Sequence, residues 1–165
     1  MTSTKVKLLE TDKIVAFTGD IYSQWYMRDI KIDNLLFCCN EQWMMYCKAK
    51  HFKDEESASK ILNTNIPKEH KDLGRNVKNF NDEEWNKVAD EYVYIGNYNK
   101  FKQNEDLKEK LLKTGDKIIA EAAHYDRRWG TGYNIEDTIN TSYENWGENR
   151  LGKALMMVRE TIREE

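Results

Sequence analysis

The spacing of apolar residues changes along the chain. It predicts extended segments up to Cys39 and mainly helices after that residue. Lys13–Phe17 and Asp29–Cys39 are predicted to be extended, and in the second segment Ile residues alternate with charge around a tight turn at Asp33-Asn34. Asn40 is predicted as the N-cap of a helix over Glu41–Phe52. Because apolar residues surround this helix on nearly every side, we expect it to be buried.

Helical spacing between capping signals predicts most of the later elements. These are Glu55–Asn63, a helix begun by Pro67 and ended by Gly74, a helix from the Asn81/Glu84 capping box to about Gly96, Glu105–Lys113 stopped by Thr114-Gly115, and Glu148–Glu164. Lys117–Ala123 fits either a strand or a short helix. The pattern predicts a predominantly helical α+β fold with a small antiparallel sheet near the N-terminus. Since no linker or repeat divides the chain, we expect one domain over residues 1–165.

Composition and charge exclude several classes of function. The 165 residues include 26 basic and 29 acidic ones, well interspersed, for a formal charge of −3, so no basic stripe predicts binding to a nucleic-acid duplex. Aromatic residues reach 12%, which argues against disorder. No apolar run approaches the roughly 20 residues that cross a bilayer, and Met1–Glu10 lacks the apolar block of a leader peptide. We therefore expect a cytoplasmic protein without a membrane partner.

The cysteines and histidines do not predict a metal centre. Cys38, Cys39 and Cys47 are an odd, clustered set, expected to be buried thiols in a reducing compartment. None of the three histidines pairs with a cysteine at the spacing of a zinc site. The sequence therefore predicts neither a metal nor another cofactor.

One face of the predicted helix Glu41–Phe52 carries groups suited to catalysis. Glu41, Met45, Lys48 and Phe52 align at helical spacing, with the carboxylate and the amine about 10 Å apart along the axis. If this face points inward, burial favours the neutral, nucleophilic amine of Lys48. The alternative is that Lys48 and Lys50 extend to the surface while Glu41 only favours the helix N-terminus.

Two further segments are candidates for ligand binding. Tyr125–Gly132 combines an Asp, aromatic rings and two glycines, which suits a pocket for a planar ring and a sugar, although an ordinary loop is the alternative. Trp146–Gly152 leads into the last helix, whose N-terminus could hold a phosphate. Trp85, at helical spacing, is typical of a core residue rather than a ligand platform.

Four stretches together resemble the motifs of the YbiA-like, or NADAR, family. Residues 40–49, NEQWMMYCKA, are similar to SEQYMMAQKA, and residues 100–116, KFKQNEDLKEKLLKTGD, to KFxQNxxLxxxLLxTGD. Residues 121–132, EAAHYDRRWGTG, resemble EASPYDRIWGIG, and residues 149–159, NRLGKALMMVR, resemble NLLGKALMEVR. The resemblance runs in order from about Phe17 to Arg163.

The resemblance implies an N-glycosidase-type hydrolase with a YbiA-like, mainly helical α+β fold. It implies cleavage of a ribosyl–nitrogen bond, either in an early riboflavin intermediate or in ADP-ribosylated guanine. The pocket residues of the family fall on Glu41, Lys48, Trp85, Asp126 and Trp129. From the chemistry of this bond we expect Lys48 to act as an imine-forming nucleophile, Glu41 as proton shuttle, and Asp126 to orient a ribose hydroxyl or stabilise charge. The expected substrate-binding residues are Trp85, Trp129, Gly130, Asn149 and Arg127.

Departures from the family motifs leave parts of the interpretation open. Gln24 replaces an Asn of the front motif, which also lacks its Pro here, and Ala123-His124 replaces Ser-Pro. Residues 133–145 match no motif. The expected partner is a small ribosyl or ADP-ribosyl compound, or an ADP-ribosylated nucleic acid held by a rim of arginines. A non-catalytic ADP-ribose-binding module and a helical interaction protein are the alternative functions, and oligomeric state is not indicated.

Overall fold

The computed structural model describes residues 6–165, and residues 1–5 of the predicted domain lie outside the described residues. Contacts divide the chain into two compact units. One unit is Gln24–Glu105, and the other joins the described residues up to Ser23 with Asp106–Glu165. The single domain over residues 1–165 stays a prediction. Between residues 6 and 165, no helix has both the length and the apolar character needed to cross a membrane.

The regular elements confirm a predominantly helical α+β fold. The strands are β1 (Leu8–Glu10), β2 (Ile14–Phe17), β3 (Ile30–Ile32), β4 (Leu35–Phe37) and β5 (Ile118–Glu121). The helices are α1 (Asn40–His51), α2 (Glu55–Leu62), α3 (Pro67–Arg75), α4 (Asp82–Gln103), α5 (Glu105–Lys113), α6 (Ile135–Asn140) and α7 (Arg150–Glu164). Two 3₁₀ turns, Asp20–Tyr22 and Tyr143–Asn145, complete the list. The sequence pattern missed β1 and α6.

The unit that contains Asp106–Glu165 is built on a three-stranded mixed sheet. Its order is β1-β2-β5, with β1 antiparallel and β5 parallel to β2. Val15 is aligned with Ile119, so this pairing joins residues about 100 positions apart. Helix α7 packs on β5 and α6 packs on β2. Within the segment Lys117–Ala123, which is ambiguous in the sequence, Ile118–Glu121 is a strand because a distant strand pairs with it.

A hairpin opens the other unit. Asp33 and Asn34 join β3 to β4 with φ angles of 51° and 66°, the left-handed pair that a two-residue hairpin turn needs. The side chain of Gln103 accepts from the Lys31 N–H and donates to the Lys31 carbonyl, at 2.9 and 2.8 Å. This reciprocal pair fixes the hairpin against the end of α4, and the two left-handed φ angles confirm the turn predicted at Asp33-Asn34.

Helix α1 forms the centre of this unit. It contacts α2, α3 and α4, and most of its residues are buried, including the polar Asn40, Glu41 and Gln42. The buried helix predicted from the sequence is confirmed, but its cap is not the predicted one. Cys39 is the N-cap residue, and Asn40 is the first residue of the helix, where its side-chain amide donates to Asn97 Oδ1 at 2.9 Å.

Two glycines expected at helix ends pack closely against α1. A Cβ at Gly74 would overlap the side chain of Met45, so Gly74 allows α3 to approach α1 closely. A Cβ at Gly96 would lie 2.6 Å from Trp43 Cδ1, and α4 continues past Gly96 to Gln103. Helix α3 ends at Arg75, one residue after Gly74 and close to its predicted end, whereas the predicted end of α4 at Gly96 is wrong because α4 continues to Gln103.

Candidate active site

The face of α1 that carries Glu41, Met45 and Lys48 is turned toward α3. Met45, between Glu41 and Lys48 on this face, packs against Gly74 of α3. Lys71 and Arg75 flank Gly74 on the same helix, and both act electrostatically on Glu41. The close packing at Gly74 thus brings two cations of α3 toward the carboxyl of α1.

Glu41 is a buried carboxyl. It is 8% exposed, and burial raises its pKa from the ordinary 4.5 to about 7. Lys71, Lys48, a hydrogen bond from the side chain of Trp25 and Arg75 all act in the opposite direction, toward the charged form. Glu41 can therefore both hold and release a proton near neutral pH, which is the property required of a proton shuttle.

Lys48 is half-buried rather than fully solvated. Its Nζ lies 4.3 Å from the centroid of the Phe80 ring. Burial lowers the pKa of Lys48, and Arg75 contributes in the same direction, while Glu41 and Asp82 oppose the shift. The surroundings favour the neutral amine more than water does. Lys50, by contrast, is exposed and forms an ion pair with Glu55 at 2.8 Å. The alternative that these lysines extend to the surface therefore holds for Lys50.

Aromatic side chains surround the far end of this face. Phe52 contacts Phe80 with ring centroids 5.4 Å apart and Trp85 at 6.5 Å. Trp85 is 6% exposed and stacks on Tyr92 at 5.6 Å with an interplanar angle of 19°. Trp85 is thus part of an aromatic group whose Phe80 member lies against the Lys48 amine.

The remaining predicted residues belong to the other unit and lie close together there. Asp126 accepts from the backbone N–H groups of Arg128 and Trp129, each at 2.9 Å, and so closes the turn between them. Trp129 is half-buried with the Arg150 guanidinium 4.6 Å from its ring centroid. Arg127 is exposed and donates to the Asn145 carbonyl. These residues form a structured loop.

Asn149 and Gly130 hold this loop against β5. Asn149 is 1% exposed, and its side chain accepts from the Glu121 N–H and donates to the Ile119 carbonyl, both at 3.0 Å. A Cβ at Gly130 would lie 2.8 Å from the Glu121 carbonyl oxygen. Both residues therefore have packing roles, and their contact with substrate stays a prediction.

The first backbone N–H groups of α7 are hydrogen-bonded to the loop that contains Trp129. The N–H of Arg150 donates to the Arg128 carbonyl at 3.2 Å, and the N–H of Leu151 donates to the Trp129 carbonyl at 3.1 Å. Because these first donors are satisfied by protein, they are not available to a phosphate. The phosphate site suggested by the sequence at this helix start is not supported.

A family model and several relatives match this chain. The model of the NADAR domain matches residues 16–163. An N-glycosidase of Acanthamoeba polyphaga mimivirus is 39% identical over 92% of this chain and 98% of that protein. The chain belongs to the NADAR family. This membership confirms the resemblance that the sequence motifs carry.

Two other comparisons support the membership and the fold. A riboflavin biosynthesis protein of Vibrio vulnificus is 31% identical over 72% of this chain, which spans 30% of that longer protein. The NMR structure of the Escherichia coli protein YbiA superposes with a TM-score of 0.74, at 24% identity, over 96% of this chain and 90% of YbiA. The YbiA-like fold is therefore confirmed.

Sequence reasoning missed the groups that surround Glu41. Lys71 and Arg75 sit at an i, i+4 spacing around Gly74, a pattern that would have identified a cationic face had Gly74 been interpreted as a packing residue. Trp25 lies in the front segment whose motif departs from the family.

Folding also brings Cys38, Cys39 and His70 within 4.8 Å of one another, although their spacing in sequence indicates no site.

Proposed function

We propose that this NADAR protein is an N-glycosidase that cleaves a ribosyl–nitrogen bond. The observation that carries the proposal is the single face of α1 on which a buried carboxyl, Glu41, and a half-buried amine, Lys48, influence each other electrostatically. The name of the mimivirus relative, which matches over nearly its full length, supports the same reaction class.

In the proposed mechanism, Lys48 is the nucleophile. Its neutral amine adds to the anomeric carbon, and the bond between that carbon and the base nitrogen breaks. Glu41 gives the departing nitrogen a proton and then takes one back from the Lys48 nitrogen. The bond between the anomeric carbon and the ring oxygen breaks, the ring oxygen receives that proton, and the opened ribose stays on Lys48 as a protonated imine. Water then adds to the imine carbon, the amine leaves, and the products are free base and free sugar. The net reaction consumes one water, and both residues return to their starting forms.

The remaining site residues are proposed on the resemblance. Asp126 would orient a ribose hydroxyl or stabilise positive charge, and its second carboxylate oxygen is not used by the two loop hydrogen bonds through Oδ1. Trp85 and Trp129 would each contact the base or the sugar, since stacking contributes about 1–3 kcal/mol per base. Each of these roles is tested by its own substitution, with Asp126→Asn expected to lower turnover.

The name of the Vibrio relative supports a riboflavin-pathway ribosylaminopyrimidine as one substrate class. ADP-ribosylated guanine, free or in a nucleic acid, is the second class to be tested. Both contain a ribosyl–nitrogen bond, so both fit the proposed chemistry.

A panel of ribosylated bases, scored by liberated base, tests the proposal. We expect wild-type turnover with at least one compound, loss of turnover in Lys48→Met, and retained turnover in Lys50→Met. Lys50 is a matched control because it lies on the same helix but is exposed and paired with Glu55. Binding of ADP-ribose by calorimetry without release of base from any compound would instead favour a non-catalytic binding module.

A further inference from the structure

Cys38, Cys39 and His70 form a three-residue cluster next to the N-terminus of α1. The two sulfurs lie 3.9 Å apart, and Cys39 Sγ lies 4.0 Å from His70 Nδ1. All three candidate ligand atoms are within 4.8 Å of one another. Ligands bound to one tetrahedral ion at about 2.0–2.3 Å are separated by about 3.5–3.8 Å. Small side-chain adjustments would therefore suffice to enclose an ion.

The histidine presents an acceptor nitrogen to the sulfurs. His70 is fully buried, and its Nε2 lies 2.5 Å from the Thr64 carbonyl oxygen. A carbonyl can only accept, so Nε2 carries the proton and Nδ1 keeps its lone pair on the side of Cys39. Metal-binding histidines are typically oriented in this way, by a hydrogen bond from the other ring nitrogen to a carbonyl or carboxylate.

A second group of hydrogen bonds fixes the cysteines relative to the histidine. Gln42 is 1% exposed and accepts from the Cys38 N–H at 2.7 Å. Its amide nitrogen donates to the Thr64 carbonyl at 3.1 Å, the same oxygen that His70 contacts. Gln42 and Thr64 therefore connect the cysteine segment to the histidine, which is the arrangement of an outer shell around a binding site.

The chemistry of the three side chains selects the ion. Two thiols and one imidazole suit a thiophilic ion such as Zn²⁺ rather than Mg²⁺ or Ca²⁺. Cys38 is only partly buried, which provides a route from solvent.

From this geometry we propose that Cys38, Cys39 and His70 bind one Zn²⁺ ion through two sulfurs and one nitrogen. Binding forms two Zn–S bonds and one Zn–N bond, and the two thiol protons pass to solvent. A fourth position is left for water or another small ligand, as in zinc sites that are not closed by four protein groups. The proposal does not depend on the proposed glycosidase activity.

Calorimetric titration of the full chain with Zn²⁺, in the presence of a phosphine reductant, tests the site. We expect one ion per chain and an affinity at least about 100-fold weaker in Cys38→Ser, because loss of a ligand costs more than the 10–100-fold typical of an outer-shell change. Cys47→Ser is the matched control, since Cys47 is a buried thiol outside the cluster and should leave the affinity unchanged.

X-ray absorption on the zinc-loaded wild-type protein gives a readout that needs no variant. We expect two sulfurs at about 2.3 Å and nitrogen or oxygen at about 2.0–2.1 Å. No binding by the wild-type chain, equal affinity in Cys38→Ser, or a spectrum without sulfur would each overturn the proposal, whatever the outcome of the base-release assay.

Discussion

Replacement of Glu41 by Gln should make the protein more stable and less active at the same time. Burial raises the pKa of Glu41 from the ordinary 4.5 to about 7 in the folded chain. Below about pH 4.5 the Glu41 carboxyl is protonated in both the folded and the unfolded chain, so its burial lowers the stability least there. As the pH rises through about 7, stability is lost, because the carboxyl ionises more easily in the unfolded chain than in the folded one.

The size of the effect follows from the shift. A difference of about 2.5 pKa units at about 1.4 kcal/mol each corresponds to about 3 kcal/mol of lost stability above neutral pH. Gln has nearly the same shape, carries no charge at any pH, and can still accept the hydrogen bond from Trp25. Near pH 4 the variant should therefore match wild type, and near pH 8 it should be more stable by up to about 3 kcal/mol.

Urea unfolding at about pH 4 and about pH 8, with base release measured in parallel, tests both parts. We expect activity to fall by about 10²–10⁴-fold, the usual contribution of a positioned proton donor. Glu83→Gln is a matched control, because Glu83 is an exposed carboxylate whose ion pair with Lys87 at 3.9 Å should be worth less than about 1 kcal/mol. A variant that is less stable than wild type near pH 8 would mean that Glu41 is a stabilising ion-pair partner, and the reasoning would be refuted.

Two further substitutions test the scaffold on which the site residues lie. The Asp54 side chain caps α2 by accepting from the backbone N–H of Ser57, and it also accepts from the backbone N–H of Lys78. These hydrogen bonds lower the pKa of Asp54 to about 2. Asp54→Ala should cost about 2 kcal/mol near pH 7, and the cost should shrink as the pH falls from about 4 toward about 2, since the lowered pKa stabilises the fold only while Asp54 is ionised. Chemical unfolding across this range checks the prediction, and a cost independent of pH would contradict it. Gly152→Ala should cost about 2 kcal/mol because its Cβ would overlap the Ile119 carbonyl oxygen of β5, even though Ala favours a helix by about 1 kcal/mol. A thermal melt at or above that of wild type would show that α7 can move away from β5.

Local signals in the sequence predicted the elements that depend on neighbours along the chain. Asn81 caps α4 by accepting from the Glu84 N–H at 2.9 Å, as the capping box indicates. Gly115 ends α5 with a φ of 60°, as the Thr-Gly stop indicates. The helical spacing of Glu41 and Lys48 likewise predicted that they share one face of α1.

Features that depend on distant parts of the chain were missed. The parallel pairing of β5 with β2 has no local signature, because the aligned residues are about 100 positions apart. Gly74 lies near the end of α3, as its sequence context indicates, but its close contact with Met45 of α1 has no local signature either. The group formed by Cys38, Cys39 and His70 could not be predicted either, since only the packing of α3 on α1 brings His70 to the cysteines.

Reductive trapping tests most directly whether Lys48 attacks the sugar. Borohydride added during turnover should convert the imine into a stable amine and add the mass of the reduced sugar to the peptide that contains Lys48. The same adduct should form in Lys50→Met and be absent from Lys48→Met. Release of base by wild type with no adduct on Lys48, or normal turnover by Lys48→Met, would contradict the account.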